Sequence, residues 1–438
     1  MSVSAIAILI LVVVFFVMMF LRLGVGFSMG IATIVTMLFL KSRGVPMNIA
    51  IVFQGLVSGT SSYTFMAVPF FMFAGELMFA GGVSDRIIAF ANALVGWIRG
   101  GGAYVNTLAS MFFGGISGSA TGDTAALGPM EIKLMTEQGF DKAYSTSLTM
   151  ASSVEGMLIP PSHNMVIYAV AAGSVSVGAL LMAGLIPGVV LGACLSVYSY
   201  FYTRKHHINP FGSFSWRQVG KTGIMAFFGL LVILIIILGV NGGVMTATES
   251  AAIACFWAFI CAILIYRELK IRNYYKIAKK AIKTLSMIFI LIACSNAFGW
   301  LVAYLKIPAM ITNALLMLTH NKILILLLLN LLLLFLGMVM SMSSIIIILT
   351  PILVPVLMEL GVSLVQFGCI LILNLGIGLI TPPVGGVLYI GSAISGIKVN
   401  KLFKSMLPLY GIMVIALMLI TFVPDLSLWL PKILGYTV

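Results

Sequence analysis

The sequence predicts an all-α polytopic membrane protein, an inverted-topology repeat with two re-entrant helical hairpins and two broken helices. Three observations carry that reading. The 438 residues are 61% hydrophobic and only 8% charged. Ordinary soluble domains hold about 25% charged residues, so this chain has too little polar surface to cover itself in water. Apolar runs of spanning length recur, at 3–21, 23–40, 223–240, 251–266 and 406–423. They are uniformly apolar rather than alternating, which is the pattern of helices and not of a β-barrel. Finally, a 222-residue shift lays the chain on itself: Gly115, Ser119, Leu127, Pro129, Glu137, Gly139, Gly156, Pro160 and Pro161 recur as Gly337, Ser341, Leu349, Pro351, Glu359, Gly361, Gly378, Pro382 and Pro383.

The repeat sets the order of elements. Two plain spans near 4–21 and 24–40 match two near 223–240 and 248–266. The first run lacks a basic leader and a small-residue cleavage site, so it is expected to stay as a helix. A short amphipathic stretch near 46–61 matches a basic one near 268–283, and a span at 64–80 matches 286–304. A Gly/Ser-interrupted segment at 104–138 matches 323–360, and a segment broken at Pro-Pro, 141–172, matches 363–394. A last plain span closes each half, 177–203 against 405–424.

Parity fixes the relative orientation of the halves. An interrupted segment that enters and leaves on one side adds no crossing, so each half crosses five times and the second copy is inverted. Charge agrees. Threading the chain this way puts 19 of the 24 Lys and Arg residues on the cytoplasmic side, Arg22, Arg204, Lys205, Lys270 and Lys280 among them. Lys41, Arg43, Lys306, Lys322 and Lys432 fall outside, a clear positive-inside bias. Both termini then face the exterior.

The net charge of +13 belongs to that topology signal and not to nucleic-acid binding. The basic stretch Arg267, Lys270, Arg272, Lys276, Lys279, Lys280 and Lys283 alternates with Leu269, Ile271, Ile277 and Ala278, which suits a helix lying on the anionic bilayer surface. The five cysteines lie in apolar runs without Cys-x-x-Cys spacing and read as packing residues.

The interrupted and broken segments carry the chemistry. The stretch 114–129 holds five glycines, a proline and a carboxylate, which no lipid-facing span tolerates. It is expected to form a hairpin with its tip near 117–121, opening to the cytoplasm; its counterpart has a tip near 337–344 and opens outside. Each Pro-Pro pair removes two backbone donors and stops its helix near Gly156 or Gly378. The carbonyls left free around 156–160 and 378–382 suit a small cation such as sodium. The tips add hydroxyls from Ser117, Ser119, Ser341 and Ser343. Half-helix N-termini leaving the tips and following the prolines aim positive dipole ends inward, which suits a carboxylate.

Intramembrane ionisable residues default to functional hypotheses. Asp123 and Glu155 lie beside the first hairpin and first break and are expected to shape the site. Glu249 follows Thr246 at a helix start and reads as a cap, and Glu76 is left without a role. His163 and Asn164 have no repeat partner and are candidates for substrate selection.

At these motifs the chain resembles the large membrane subunit (DctM-like) of TRAP, tripartite ATP-independent periplasmic, transporters. The carrying residues are Val68-Pro-Phe-Phe-Met-Phe-Ala-Gly-Glu-Leu-Met78, Gly81-Gly82, the 114–129 stretch, Ile159-Pro-Pro-Ser162, Thr248-Glu-Ser-Ala-Ala252 and Gly378-Leu-Ile-Thr-Pro-Pro383. The resemblance implies sodium-coupled import of an organic acid by an elevator mechanism, without an organic cofactor, in the bacterial inner membrane. The substrate class is C4-dicarboxylates, sialic acid or other sugar acids, and the string Pro160-Pro-Ser-His-Asn164 points to a sugar-acid member. Implied partners are a small four-helix membrane subunit and a periplasmic substrate-binding protein. The implied organisation is scaffold helices and arm at 1–62, a transport half at 63–205, scaffold helices and basic arm at 206–284, and a second transport half at 285–438. Carried over, one sodium site uses Ser117, Gly156, Ile159 and Pro160, and the other Gly337, Gly378, Thr381 and Pro382. The substrate-facing set is Ser119, Thr121, Asp123, Ser162, Asn164, Ser341, Ser343 and Pro383. A stand-alone sodium–dicarboxylate symporter of related architecture is the alternative. An enzyme is not expected: the chain has neither His-Glu-x-x-His nor Gly-x-Ser-x-Gly.

Overall fold

The computed structural model describes residues 2–438 apart from 22, 49, 209, 211, 212, 270, 319 and 320. Arg22 and Lys270, both assigned to the cytoplasmic side, therefore lie outside the described residues. Among the described residues every named element is helical.

The first half begins with α1 (Val3–Phe20), α2 (Val25–Ser42) and the short α3 (Ala50–Thr60). It continues with α4 (Ala67–Ala80), α5 (Val83–Val95), α6 (Gly101–Ser117) and α7 (Ala120–Glu137). After α8 (Lys142–Ser152) come a single 3-10 turn at Glu155–Met157, α9 (His163–Ala172) and the long α10 (Val177–Lys205). The second half holds α11 (Trp216–Asn241), α12 (Ala247–Ile260) with a π-helical extension over Cys261–Ile265, α13 (Ile271–Tyr304) and α14 (Ile307–Leu318). It closes with α15 (Lys322–Gly337), α16 (Met342–Glu359), α17 (Leu364–Leu379), α18 (Gly386–Ser395), α19 (Val399–Phe422) and α20 (Asp425–Ile433). The 222-residue register holds to the residue at four helix starts: Val25 and Ala247, Ala120 and Met342, Lys142 and Leu364, Val177 and Val399. Eight helices are long and apolar enough to cross a membrane, among the described residues.

Three features depart from the predicted layout. First, α5 and α14 were not foreseen. The chain bends by 74° between α4 and α5, at Gly82, whose φ of +70° favours glycine. Val83, Ile87, Ile88 and Ala91 of α5 are buried, a helical spacing legible in the sequence. Second, the predicted basic arm at 268–283 and span at 286–304 are one unbroken 34-residue helix, α13. The first half breaks at Ser61-Ser-Tyr63, where the Ser61 hydroxyl donates to the Val57 carbonyl at 2.7 Å. The second half has Lys283-Thr-Leu285 there, and Lys and Leu favour the helix more than Ser and Tyr do. Third, α20 has no counterpart. Pro424 stands where the register puts Tyr202, so the helix stops in the second half and runs on as α10 in the first.

Without a hydrophobic force between helices in lipid, small residues and buried polar pairs hold the bundle. A Cβ on Gly26 of α2 would lie 3.0 Å from Leu291 Cα of α13, and one on Gly55 of α3 3.2 Å from Ala297 Cα. Both helices therefore cross α13 backbone to backbone. In the first half, Asn106 of α6 donates to Thr149 Oγ1 of α8 at 2.6 Å, and Ser152 Oγ donates to Asn106 Oδ1 at 2.7 Å. In the second, Asn374 of α17 donates to Asn330 Oδ1 of α15 at 2.8 Å. Ser152 and Asn374 are register partners, so one polar clamp recurs at one crossing. Tyr168 of α9 joins the halves by donating to the Leu364 carbonyl at 2.7 Å.

Candidate functional site

The interrupted segments form helix pairs joined by tight turns. Between α6 and α7 stand only Gly118, with φ +59°, and Ser119. Gly118 N–H donates to the Gly114 carbonyl at 2.7 Å and closes α6. Ser119 caps α7 by accepting from Gly122 N–H at 3.3 Å, and its hydroxyl pairs with that of Thr121 at 2.9 Å. Ser117 Oγ accepts from Ser119 N–H at 3.3 Å. The second pair turns between Gly337 and Met342, with Ser341 at the N-cap of α16 and its hydroxyl bonded to that of Ser344.

Each tip packs against its own break. Gly114 of α6 meets Gly156 so closely that neither accommodates a Cβ. A Cβ on Gly115 would lie 3.0 Å from the Pro160 carbonyl oxygen, and one on Gly118 3.0 Å from that of Pro161. Asn164 Nδ2 donates to the Gly118 carbonyl at 3.4 Å. In the second half, a Cβ on Gly378 would lie 2.6 Å from Gly337 Cα, and Val384 N–H donates to the Met338 carbonyl at 3.1 Å. Thr381 Oγ1 donates to the Ile377 carbonyl at 2.7 Å. Tyr389 OH donates to the Pro383 carbonyl at 3.2 Å. Both Pro-Pro peptides, Pro160-Pro161 and Pro382-Pro383, are cis.

The two tips share the wall of a cavity of about 740 Å³. Ser117, Ser119, Thr121, Asn164, Ser341 and Ser343 all line it, as does His163. The first turns of α7, α9 and α16 reach the same space, so three helix N-termini converge on it from the side of the tips. Their unsatisfied N–H groups and dipole ends favour an anion there. The opposite walls come from α4 (Met72, Glu76, Phe79), the start of α2 and the middle of α13 (Lys280, Thr284, Leu291).

Other named residues sit elsewhere. Gly156, Ile159, Pro160, Gly378, Thr381, Pro382 and Pro383 form the breaks behind the tips, Gly337 ends α15 against the second break, and none of them is part of the cavity wall. Ser162 is fully buried and caps α9, accepting from Met165 N–H at 3.5 Å. Asp123 is 1% exposed and does not line the cavity. Its two oxygens, like those of buried Glu131 and Glu155, have no hydrogen-bond partner among the described residues. Glu155 instead faces α10, with Oε2 2.8 Å from where a Cβ on Gly192 would lie. Glu249 closes a capping box with Thr246 at the start of α12. Sequence reasoning missed Lys280, which it treated as one of a run of topology charges. Glu76 was singled out but unplaced; it pairs with Lys280 at 2.9 Å.

The description of one family, the tripartite ATP-independent periplasmic transporter, DctM component, matches residues 12–426. The chain belongs to that family. This DctM-type permease is 37% identical over 420 residues to the sialic acid TRAP transporter large permease SiaM of Vibrio cholerae, covering 96% of this chain and 97% of that one. It is 37% identical over 380 residues to the C4-dicarboxylate TRAP transporter large permease DctM of Pseudomonas aeruginosa, covering 87% and 89%. To the 2,3-diketo-L-gulonate TRAP transporter large permease YiaN of Escherichia coli it is 32% identical over 379 residues, covering 86% and 89%. Its fold resembles that of the Alcanivorax borkumensis YdaH transporter, with a TM-score of 0.63 at 16% identity over 86% of this chain and 89% of that one. The permease is thus a multi-pass inner-membrane transport protein and not an enzyme.

Proposed function

We propose that this permease imports an organic acid, coupled to sodium, by an elevator movement of the parts that carry the two helix pairs. A periplasmic binding protein delivers the acid, and a small four-helix membrane subunit completes the assembly. The observation that carries the reading is the meeting of two tip–break pairs, 222 residues apart, beside one cavity on whose tip side three helix N-termini converge. The N-termini suit a carboxylate. The relatives named above transport sialic acid, C4-dicarboxylates and 2,3-diketo-L-gulonate, all organic acids.

Sodium is the cargo that suits the breaks. The Pro160 and Pro161 carbonyls aim at the first tip and accept no hydrogen bond among the described residues. Hard carbonyl and hydroxyl oxygens are the ligands a small alkali cation takes at the ends of broken helices. Ser117 on the first tip and Thr381 at the second break supply the hydroxyls, with carbonyls from Gly156, Ile159, Gly337 and Gly378. Crossing parity supports inversion of the halves, and with it alternating exposure of one site to the two sides.

The test is uptake of radiolabelled N-acetylneuraminate, gluconate and succinate into proteoliposomes holding the permease alone, or with a small membrane subunit and a periplasmic binding protein. Uptake that needs all three proteins is the expected result. Uptake by the permease alone contradicts the tripartite reading and favours a stand-alone symporter.

A further inference from the structure

We propose that the Lys280–Glu76 ion pair on the cavity wall selects hydroxylated monocarboxylates, such as sugar acids, over dicarboxylates. This rests on the organic-acid reading above. Lys280 Nζ of α13 lies 2.9 Å from Glu76 Oε2 of α4. Both residues line the cavity that the two tips share, and they are the only Lys, Arg, Asp or Glu among its described lining residues. Their charges cancel. The side chains therefore add no net positive charge to the cavity, and the attraction for an anion comes from the helix N-termini on the tip side. Each such terminus carries about half a charge; the three on the tip side hold one carboxylate there, and the start of α2 adds a single terminus on the opposite wall.

The pair then meets the other end of the substrate. An ammonium has three N–H donors and a carboxylate accepts only. The hydrogen bond from Lys280 goes to Oε2 of Glu76, which leaves two ammonium donors and Oε1 beside each other. A hydroxyl both donates and accepts and satisfies the two at once. A second carboxylate only accepts, and it meets the Glu76 charge. Met72, Phe79 and Leu291 make the surrounding wall apolar, and the partial exposure of the pair leaves that repulsion only partly screened. The cavity, at about 740 Å³, is in the range of sites for ligands larger than a four-carbon acid.

A purely structural role predicts otherwise. The Lys280 and Glu76 side chains are 62% and 29% exposed, and exposed pairs add little to stability. Neutralising one partner thus leaves the fold standing and changes the charge of the cavity. The experiment measures binding of N-acetylneuraminate, gluconate and succinate to the full-length permease in lipid nanodiscs with sodium, by ligand-induced shift of the unfolding temperature across a concentration series. The wild type is expected to bind the hydroxylated acids more tightly than succinate. Glu76→Gln should move that ratio toward succinate by about tenfold, the scale of one like-charge contact at a partly screened site. Lys280→Met should weaken the hydroxylated acids, with Lys280→Arg restoring them in part. A Glu76→Gln variant that binds all three acids in the wild-type ratio overturns the selector role and leaves the organic-acid reading standing. A wild type that binds succinate best also overturns it. If none of the three acids binds at any sodium concentration, the organic-acid reading falls and the selector with it.

Discussion

Gly337 and Gly378 meet backbone to backbone: a Cβ on Gly378 would lie 2.6 Å from Gly337 Cα. Gly114 and Gly156 make the same contact in the first half. These are the points where each tip rests on its break, so the spacing of backbone oxygens there depends on the absence of a side chain. Gly378→Ala is expected to cost about 1–3 kcal/mol, as overpacking does, and to abolish uptake. Gly411→Ala is the control. Gly411 lies inside α19 with nothing within 4 Å of an added Cβ, and Ala there should stabilise by about 0.5–1 kcal/mol. Thermal unfolding of the purified permease distinguishes the two.

Thr381 Oγ1 uses its proton on the Ile377 carbonyl and has the Tyr410 hydroxyl within hydrogen-bonding reach, which leaves lone-pair capacity for one further partner. If that partner is sodium, Thr381→Ala raises the sodium concentration for half-maximal uptake by roughly tenfold, the scale of one hydrogen-bond-strength contact to a charge. Thr381→Ser should retain most of the wild-type value, and assembly in the membrane should be unaffected. Sodium dependence unchanged in Thr381→Ala counts against this site.

The repeated polar clamp is a stability device. Asn374 is fully buried and donates to Asn330. Asn374→Leu leaves the Asn330 acceptors without that donor, so the permease should lose about 1–3 kcal/mol. Sodium dependence of the surviving folded protein should not move. Unfolding curves and sodium titrations on one preparation read both.

Glu249 accepts from the Thr246 N–H at 2.7 Å, and the Thr246 hydroxyl accepts from Glu249 N–H at 3.2 Å. Glu249→Ala is expected to lower the unfolding temperature while uptake per folded molecule stays at the wild-type level. A loss of uptake without a loss of stability contradicts a capping role.

Local signals in the sequence were enough to place both tips and both breaks. Gly118, Ser119 and the two Pro-Pro pairs act within a few residues, and the 222-residue register doubled each signal. The helix α5 had no place in the predicted layout, although Val83, Ile87 and Ile88 carry a helical period. Fusion of the basic arm into α13 turned on three residues, Lys283, Thr284 and Leu285, and a repeat argument does not weigh how much better Lys and Leu suit a helix than Ser61 and Tyr63 do. What lay beyond reach was contact across the fold. Glu76 and Lys280 are 204 residues apart, and nothing near either one names the other. Asp123 was expected to face substrate, yet its position on α7 turns it into the protein, which no sequence period distinguishes at a helix N-terminus.

The most direct measurement is uptake of a labelled organic acid by proteoliposomes holding permease, membrane subunit and loaded binding protein, with and without an inward sodium gradient. The account predicts accumulation that requires the gradient and is reduced by Thr381→Ala and Ser117→Ala. Accumulation of equal rate and extent without sodium on either side would contradict it.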